Sequence, residues 1–212
     1  MITDSTELKK WLKKRLKDKR YVHSLGVADM AGMLMKRFGY SKKAGVICGL
    51  YHDAYRYIEQ DEGIRICETL GMKLYPEEYI NPPLIHAPVA AAMMRSDIGP
   101  VPETFMKAVR FHTLGSKDMT KLGAAVYIAD YAEPNRKHLT EEEREKILSL
   151  PSLEDMVLYI LTEQDRYFRE TGKKGAKVTT ELEEFLRSGG KFEEDPSFAH
   201  GSSAADAAVR LQ

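Results

Sequence analysis

The sequence predicts an all-α protein built as a single domain. Three observations support this class. Apolar residues recur at helical spacing through most of the chain, capping residues and glycines mark the helix ends, and no short segment alternates strictly between polar and apolar residues. The chain has 212 residues, of which 43% are hydrophobic and 30% charged, an ordinary globular composition. A chain of this length can bury enough surface to fold without a disulfide or a metal.

The first predicted helix follows from apolar spacing near the N-terminus. Leu8, Trp11, Leu12 and Leu16 recur at i, i+3, i+4 and i+8, with Lys and Arg between them. Asp4 stands where an N-cap is expected. These residues predict a helix that turns one apolar face toward the core.

The later helices are predicted from the same signals. A second runs from about Arg20 to Phe38 and ends at Gly39, and Ser41 caps a third. Further helices are expected at 61–70, 86–96, 103–112, 119–132, 141–149, 152–171 and 179–188. The stretch between the helix at 61–70 and the one at 86–96 is expected to be irregular, because Pro76, Pro82 and Pro83 interrupt it. The helix at 61–70 is expected to be short and to end at Gly71, within a stretch from 57 to 83 that is less regular overall. From Gly189 onward the composition predicts a loosely ordered tail.

Charge and cysteine content narrow the function classes. Lys and Arg number 32 and so do Asp and Glu, and this zero net charge disfavours general coating of nucleic acid. Cys48 and Cys67 lie among apolar residues without CxxC spacing, which predicts two reduced core thiols. The sequence has no apolar run of about 18 residues and no secretory signal pattern. We therefore expect a cytoplasmic protein that does not insert into a membrane.

Five of the six histidines have an ordinary structural explanation when considered alone. His23 on an apolar helix face can bond a neighbouring carbonyl group, and His86 can cap a helix after a Pro-Pro turn. His112 can interact with the dipole at a helix C-terminus. His138 and His200 lie in polar stretches, and a structural role is the prediction for both.

Asp130 and the His52-Asp53 doublet are harder to explain in this way. Asp130 lies in a nearly uncharged helix, and a buried carboxylate needs a partner or a cation. Neighbouring helical side chains diverge by about 100°, so His52 and Asp53 can approach one ion from adjacent sides. Imidazole and carboxylate ligands suit Fe, Mn, Co, Ni or Zn better than Ca. For the doublet alone, a hydrogen bond at a helix end remains the alternative.

Several blocks occur in one order along the chain. They are Arg20–Ala28, Gly49–Arg56, His86, His112–Gly115 and Tyr127–Arg136. Together they resemble the metal-dependent phosphohydrolases of the HD superfamily, and within it the YqeK family of symmetrical diadenosine tetraphosphate (Ap4A) hydrolases. The resemblance implies a single HD-domain helical bundle over 1–188 with a metal site in a central cleft, followed by the tail at 189–212.

The resemblance also implies a ligand set and a metal. The implied ligands of the first metal are His23, His52, Asp53 and Asp130. Iron is the implied ion, with one ion expected and a second left open. His86 and His112 would face the same cavity and either bind a second metal or contact phosphate, of which phosphate contact is favoured. Asp53, His86 and His112 are the implied catalytic residues.

The implied phosphate contacts are cationic or lie in glycine-rich turns. Arg136 is the first of them, Arg56 stands where the family often has Lys, and Arg20 is weaker. A surface salt bridge is the alternative for each arginine. Thr113 is a further candidate, with helix capping as its alternative. The final candidate is a loop of two glycines around two lysines, for which a solvated helix stop is the alternative; its residues are Gly172, Lys173, Lys174 and Gly175.

The implied function is hydrolysis of Ap4A to two molecules of ADP. Hydrolysis of other nucleotides is one alternative, and a nucleotide-binding regulator with little turnover is another. The presence of all four implied metal ligands disfavours the regulator, because a degenerate site is expected to lose at least one. The expected partner is a dinucleoside polyphosphate or a nucleotide, with no nucleic acid polymer and no membrane. A homodimer is left open.

Overall fold

The computed structural model describes residues 4–194, in which helices form the regular structure and no strand occurs. The helices are α1 (Ser5–Arg15), α2 (Asp18–Arg37), α3 (Lys42–Tyr51), α4 (Gln60–Thr69), α5 (Pro76–Ile80), α6 (His86–Ile98), α7 (Glu103–Arg110), α8 (Lys121–Ala132), α9 (Glu141–Ser149), α10 (Leu153–Thr171) and α11 (Lys177–Arg187). The predicted all-α class is confirmed, and the predicted helices begin and end within about two residues of the observed bounds.

Helix starts follow the capping residues that the sequence offers. The Asp4 side chain accepts hydrogen bonds from the backbone N–H groups of Thr6 and Glu7, as predicted for the N-cap of α1. Ser41 accepts from the backbone N–H of Ala44 and caps α3. Each such cap stabilises a helix by about 1 kcal/mol relative to alanine.

The centre of the bundle is formed by α2, which packs along α3 and α8. Two glycines allow α2 and α3 to approach closely. A Cβ atom at Gly45 would lie 2.6 Å from the Ala31 carbonyl oxygen, and one at Gly49 would lie 2.6 Å from Ala28 Cα. Larger residues at these two positions would separate the helices. The close approach places the C-terminal end of α3 beside the first half of α2.

The region before α6 is more regular than the sequence predicts. Pro76 does not interrupt the chain but occupies the first turn of α5, where its missing N–H is tolerated. The backbone N–H of Tyr75 donates to the Glu78 carboxylate at 2.7 Å and fixes the start of this short helix. Pro82–Leu84 form a 3-10 turn that leads into α6. The expectation of an irregular stretch is therefore wrong over both segments.

A buried ion pair ties α5 to α7. Arg110 donates to both carboxylate oxygens of Glu78, at 2.6 Å and 2.8 Å, and to the Lys73 carbonyl oxygen at 2.9 Å. The Glu78 side chain is fully buried and that of Arg110 is 8% exposed. The paired fork geometry satisfies both charges inside the protein.

The chain remains packed beyond α11. Phe192 is buried, and its backbone N–H donates to Glu154 at 3.0 Å. The carbonyl oxygen of Glu193 accepts from the first residue of α8. The packed chain thus extends past residue 188, where the sequence analysis places the domain boundary. That boundary stays a prediction, and residues 195–212 of the predicted tail at 189–212 lie outside the described residues.

Both cysteines are buried free thiols, in agreement with the sequence analysis. Burial raises the pKa of Cys48 above its usual value and the pKa of Cys67 to about 12. Between residues 4 and 194, no helix is long and apolar enough to cross a membrane.

Candidate metal centre

Five of the predicted site residues lie at the end or the beginning of a helix, or just beyond it, and all of these are buried. His23 lies in the first half of α2, His52 and Asp53 directly follow α3, His86 opens α6, and His112 lies two residues past α7. Their exposed fractions are between 0% and 6%. The helix packing therefore brings together residues that are up to 89 positions apart in sequence. We call this set, together with Asp130 of α8, the histidine cluster.

Three of the histidines are oriented by the same local hydrogen bond. The Nδ1 atoms of His52, His86 and His112 each lie 2.7 Å from the carbonyl oxygen three residues earlier. For His52 and His112 this carbonyl group belongs to the last turn of a helix, where it lacks an intrahelical partner. Because Nδ1 donates its hydrogen to a carbonyl oxygen, the lone pair of each neutral ring lies on Nε2.

The Nε2 atoms of two histidines meet two carboxylate oxygens. His23 Nε2 lies 2.9 Å from Asp130 Oδ1 and 3.6 Å from Asp53 Oδ2. His52 Nε2 lies 3.1 Å from the same Asp53 oxygen and 3.7 Å from the same Asp130 oxygen. Two imidazole nitrogens and two carboxylate oxygens thus converge on one volume. His23, His52 and Asp130 are close enough together to hold a metal ion.

The other two histidines form a second group that shares Asp53. His86 Nε2 lies 3.1 Å from Asp53 Oδ1, the carboxylate oxygen that the first group does not use. The Nε2 atoms of His86 and His112 are 3.0 Å apart. His52, Asp53 and His112 are also close enough together to hold a metal ion. Asp53 therefore presents one oxygen to each group.

The hydrogen bonds within the cluster leave two buried histidine nitrogen atoms without a partner in the described part of the chain. The Nε2 atoms of His23 and His52 are buried and have no hydrogen-bond partner among residues 4–194, although carboxylate oxygens lie nearby. Buried polar atoms in proteins are rarely unpaired. Burial, followed by the fields of His52 and His86, lowers the pKa of His112 to about 3, so this ring is neutral at neutral pH. Lone pairs on converging nitrogens are typical of a cation site.

Both carboxylates of the cluster are held in the ionised state. Burial alone would raise the pKa of Asp53, but the adjacent His52 and His86 rings hold it well below its usual value. Burial likewise opposes ionisation of Asp130, and His23, His52 and Arg136 together lower its pKa. The two ionised carboxylates give the centre the negative charge that favours a divalent cation.

Residues 20–135, more than half of the chain, match the sequence model described as "HD domain". The chain belongs to the HD domain family. A protein from Bacillus subtilis named "Bis(5'-nucleosyl)-tetraphosphatase, symmetrical" is 30% identical over 76% of this chain and 89% of its own length. A protein of the same name from Staphylococcus aureus is 34% identical over 60% of this chain and 66% of its own length.

A solved structure shows the same arrangement of helices as this HD domain. It is described as "Crystal structure of predicted HD superfamily hydrolase involved in NAD metabolism from Clostridium acetobutylicum". The two chains superpose with a TM-score of 0.80 and 27% sequence identity, covering 89% of this chain and 99% of the other. The fold implied by the sequence resemblance is thus confirmed.

Two arginines of the HD domain pair with carboxylates of the cluster. Arg20 Nη1 lies 2.9 Å from Asp53 Oδ2, with 26% of the arginine side chain exposed. Arg136 donates from Nε to the Asp130 carbonyl oxygen at 2.6 Å, and its Nη2 contacts the carboxylate of the same residue. Both arginines form salt bridges, as the alternative interpretation holds, but their partners are candidate metal ligands.

Arg56 and Thr113 each neighbour a histidine of the second group. Arg56 lies near His86 in space, and Thr113 follows His112 in the sequence. Arg56 Nη1 donates to the Pro83 carbonyl oxygen at 2.9 Å and lies 3.2 Å from His86 Nδ1. The hydroxyl group of Thr113, which follows His112, is buried without a hydrogen-bond partner in the described part of the chain. The capping role considered for Thr113 is therefore not observed.

The sequence analysis did not identify Glu133 as a functional residue. His23 Nδ1 donates to Glu133 Oε1 at 3.0 Å, and Glu133 Oε2 accepts two hydrogen bonds from Asn135 at 2.8 Å. Glu133 is 1% exposed and lies against Gly26, where a Cβ atom would come 2.3 Å from Oε2. A carboxylate that accepts from the second nitrogen of a ligand histidine fixes the orientation and the tautomer of the ring. The only signal in the sequence is the position of Glu133 within the Asp-Tyr-Ala-Glu-Pro block.

The predicted glycine-lysine loop is not joined to the histidine cluster. Residues 172–175 are exposed, and Lys173 Nζ lies 3.5 Å from the hydroxyl group of Tyr167. No hydrogen bond or ion pair links this loop to the cluster within residues 4–194. His138 is also outside the cluster, and His200 is outside the described residues.

Proposed function

We propose that this HD domain is a metal-dependent hydrolase that cleaves Ap4A symmetrically to two molecules of ADP. The observation that carries the proposal is the histidine cluster, in which buried imidazole Nε2 atoms without hydrogen-bond partners face ionised carboxylates. The names of the bacterial relatives support the substrate and the symmetrical cleavage.

The residues of the cluster fit a divalent transition metal. The proposed ligands of the first ion are His23, His52, Asp53 and Asp130. When bound, such an ion polarises a phosphoryl oxygen and lowers the pKa of a coordinated water. The donor set is compatible with iron, which the family resemblance implies, and equally with other first-row ions.

The second group of histidines supports a second ion. The sequence analysis favoured phosphate contact for His86 and His112. Their Nε2 atoms lie 3.0 Å apart and His86 Nε2 lies 3.1 Å from Asp53 Oδ1, a grouping better suited to a cation than to an anion. Asp53, which presents one carboxylate oxygen to each group, would help to hold both ions, and His86 and His112 would serve catalysis by holding the second.

Arginines of the site are suited to bind the polyphosphate. Phosphoryl transfer places negative charge on non-bridging oxygens, so fixed cations stabilise its transition state. Arg136 is the first candidate, because its Nη1 group donates to no residue in the described part of the chain and its side chain is 28% exposed. Arg56 and Arg20 are further candidates, and the buried hydroxyl group of Thr113 supplies a neutral donor. The exposed loop at 172–175 stays a candidate for contact with the nucleotide.

The experiment that tests the proposal is product analysis. The metal-loaded protein is incubated with Ap4A and the products are separated by anion-exchange chromatography. We expect ADP as the sole nucleotide product. Equal amounts of ATP and AMP would contradict symmetrical cleavage.

The same assay separates the two alternatives. Rapid hydrolysis of a mononucleotide with little turnover of Ap4A would identify a phosphohydrolase of other nucleotides. Tight binding of nucleotide without turnover, in the presence of Fe²⁺, Mn²⁺ or Co²⁺, would identify a regulator. The cytoplasmic location, a homodimer and the domain boundary at residue 188 stay predictions from the sequence.

A further inference from the structure

A pocket lined by tyrosines includes Tyr131, the residue that directly follows Asp130 on α8. It has a volume of about 520 Å³ and lies between the C-terminal end of α8, the loop that follows it, α9 and α10. We call this cavity the tyrosine pocket. Its lining includes Tyr131, His138, Ile147, Tyr159, Gln164 and Tyr167. Small-molecule sites in proteins commonly have volumes of about 300–1,000 Å³.

The tyrosine pocket and the candidate metal centre share a wall. Tyr131 directly follows Asp130 on α8, and neighbouring helical side chains point about 100° apart. Arg136 binds the Asp130 carbonyl oxygen, and His138, two residues further along, places its ring 4.9 Å from that of Tyr131. A molecule that reaches across the Asp130–Arg136 contact would therefore touch both sites.

The walls of the pocket are suited to a flat aromatic group. Tyr131 and Tyr159 are partly buried, and Tyr167, on the same helix as Tyr159, is 51% exposed. Ile147 is fully buried and adds an apolar surface. Tyrosine rings stack on nucleobases, because every base has a flat π face.

Gln164 provides a directed hydrogen-bond donor. Its Oε1 accepts from the hydroxyl group of Tyr127 at 3.0 Å, and Tyr127 is 3% exposed. This bond fixes the orientation of the amide, and Gln164 Nε2 donates to no residue between 4 and 194. The amide N–H can therefore donate to a ring nitrogen of a purine.

The charges of the pocket disfavour a phosphate group. Glu143 and Glu163 both line it, and the guanidinium group of Arg166 already contacts Glu163. Two carboxylates repel a phosphate, whereas a carboxylate oxygen can accept from the exocyclic amine of adenine. A nucleotide would accordingly place its base in the pocket and its phosphates toward Arg136 and the metal centre.

We propose that the tyrosine pocket binds one adenine base of the dinucleoside polyphosphate. The inference rests on the proposed function for the identity of the base. The pocket would hold one adenosine moiety while its phosphates extend past Arg136 to the cluster. Base stacking, with the Gln164 amide as donor, would then determine substrate affinity without taking part in the chemical step.

Adenosine is the probe for this proposal, because it has no phosphate with which to bind a metal or an arginine. Its affinity for the full-length, metal-loaded protein is measured by isothermal titration calorimetry. Loss of one stacking ring typically weakens base binding by about 5–150-fold, and we expect a change in this range for Tyr159→Ala. Tyr159→Phe should retain the affinity and shows that the packing at this position is preserved.

The matched control is Tyr79→Ala, which removes a tyrosine of α5 that is 47% exposed and lies outside the pocket. Its affinity for adenosine should equal that of the wild type. Gln164→Leu, which keeps the side-chain shape, should weaken binding by about 5-fold, the effect of one neutral hydrogen bond. Equal affinities of wild type, Tyr159→Ala and Gln164→Leu, or a wild type that does not bind adenosine at millimolar concentration, would overturn the proposal.

Turnover of Ap4A separates failure of the pocket from failure of the proposed function. If the wild type cleaves Ap4A and Tyr159→Ala changes neither the KM for Ap4A nor adenosine binding, the tyrosine pocket does not bind adenine and the proposed hydrolysis is retained. If Tyr159→Ala weakens adenosine binding but the wild type does not cleave Ap4A, the pocket stands and the function is wrong. Binding of inorganic tripolyphosphate, which has no base, should be the same in Tyr159→Ala and the wild type.

Discussion

Two groups of buried charged residues in this HD domain differ in how completely they are hydrogen-bonded. The Arg110–Glu78 pair is satisfied, since both carboxylate oxygens accept from the guanidinium group and a further N–H of Arg110 bonds a carbonyl oxygen. In the histidine cluster, by contrast, the Nε2 atoms of His23 and His52 are buried without a partner in the described chain. The Arg110–Glu78 pair links α5 to α7, whereas the histidine cluster has ligand atoms close enough together to bind a cation.

Burial of charged residues does not by itself indicate a functional site. Both groups are nearly inaccessible to solvent, and both contain ionised residues. What distinguishes the cluster is that lone pairs from separate helices converge without donors to satisfy them. Mutations should therefore affect folding at one group and metal binding at the other.

The largest effect is expected for Asp53→Ala. Asp53 contacts both groups of histidines, so its loss should abolish bound metal and Ap4A hydrolysis together. Helical circular dichroism should be unchanged, because the apolar core does not depend on the ion. A matched control is Asp97→Asn, which alters a carboxylate that accepts from Tyr51 and Tyr55, outside the cluster. If Asp53→Ala still hydrolysed Ap4A, the interpretation of the histidine cluster as a metal centre would be contradicted.

Mutation of the Arg110–Glu78 pair should reduce stability and leave metal binding unchanged. Arg110→Ala leaves the Glu78 carboxylate buried and unpaired, which should lower the free energy of unfolding by about 3–5 kcal/mol. Metal content and hydrolysis per folded molecule should be unchanged. Replacing both residues with apolar ones, Glu78→Leu with Arg110→Met, should restore much of the stability. Urea denaturation measures all three variants, and an Arg110→Ala midpoint equal to that of the wild type would contradict a stabilising role.

Arg136 tests whether a residue beside the cluster binds substrate or metal. Arg136→Ala should keep its metal but lose a charged hydrogen bond of about 1.5–3 kcal/mol, which corresponds to about 10–150-fold in kcat/KM. Arg136→Lys should recover only part, because an ammonium group lacks the guanidinium fork. His23→Ala should instead reduce metal content, and excess metal should partly restore its rate. Normal turnover by Arg136→Ala would leave the salt bridge to Asp130 as its sole role.

The smallest effect in this series is expected for Glu133→Gln. The amide oxygen can still accept from His23 Nδ1, but the negative charge that strengthens the histidine as a ligand is lost. We expect metal affinity to fall by about 10-fold, the lower end of the usual range for residues that hydrogen-bond a metal ligand. Glu103→Gln, at an exposed carboxylate, is the control. A metal dissociation constant equal to that of the wild type would show that Glu133 acts only in packing.

Much of the fold could be predicted from the sequence, because apolar spacing and caps are local signals. Asp4 and Ser41 cap the helices expected of them. The missed helix α5 begins at Pro76, a residue that either interrupts a helix or opens one, and the local sequence does not decide between these roles. The Arg110–Glu78 pair joins residues 32 positions apart, which no periodic pattern brings together.

The residues of the candidate site were predicted for a different reason. Asp130 was indicated by an otherwise uncharged helix, and the remaining members by their order along the chain and the family resemblance. Glu133 was missed because its role depends on a contact with His23, 110 positions earlier. The tyrosine pocket was missed because its rings come from α8, α10 and the loop before α9, none of which shows unusual spacing.

The most direct test of the metal centre is the metal content of the wild-type protein before and after chelation. Purified protein is analysed by inductively coupled plasma mass spectrometry, stripped with a chelator, and assayed with Ap4A before and after addition of Fe²⁺, Mn²⁺ or Ca²⁺. We expect at least one transition metal ion per chain, loss of hydrolysis on chelation, and recovery with Fe²⁺ or Mn²⁺ but not with Ca²⁺. Full hydrolysis of Ap4A by protein free of metal would contradict the account.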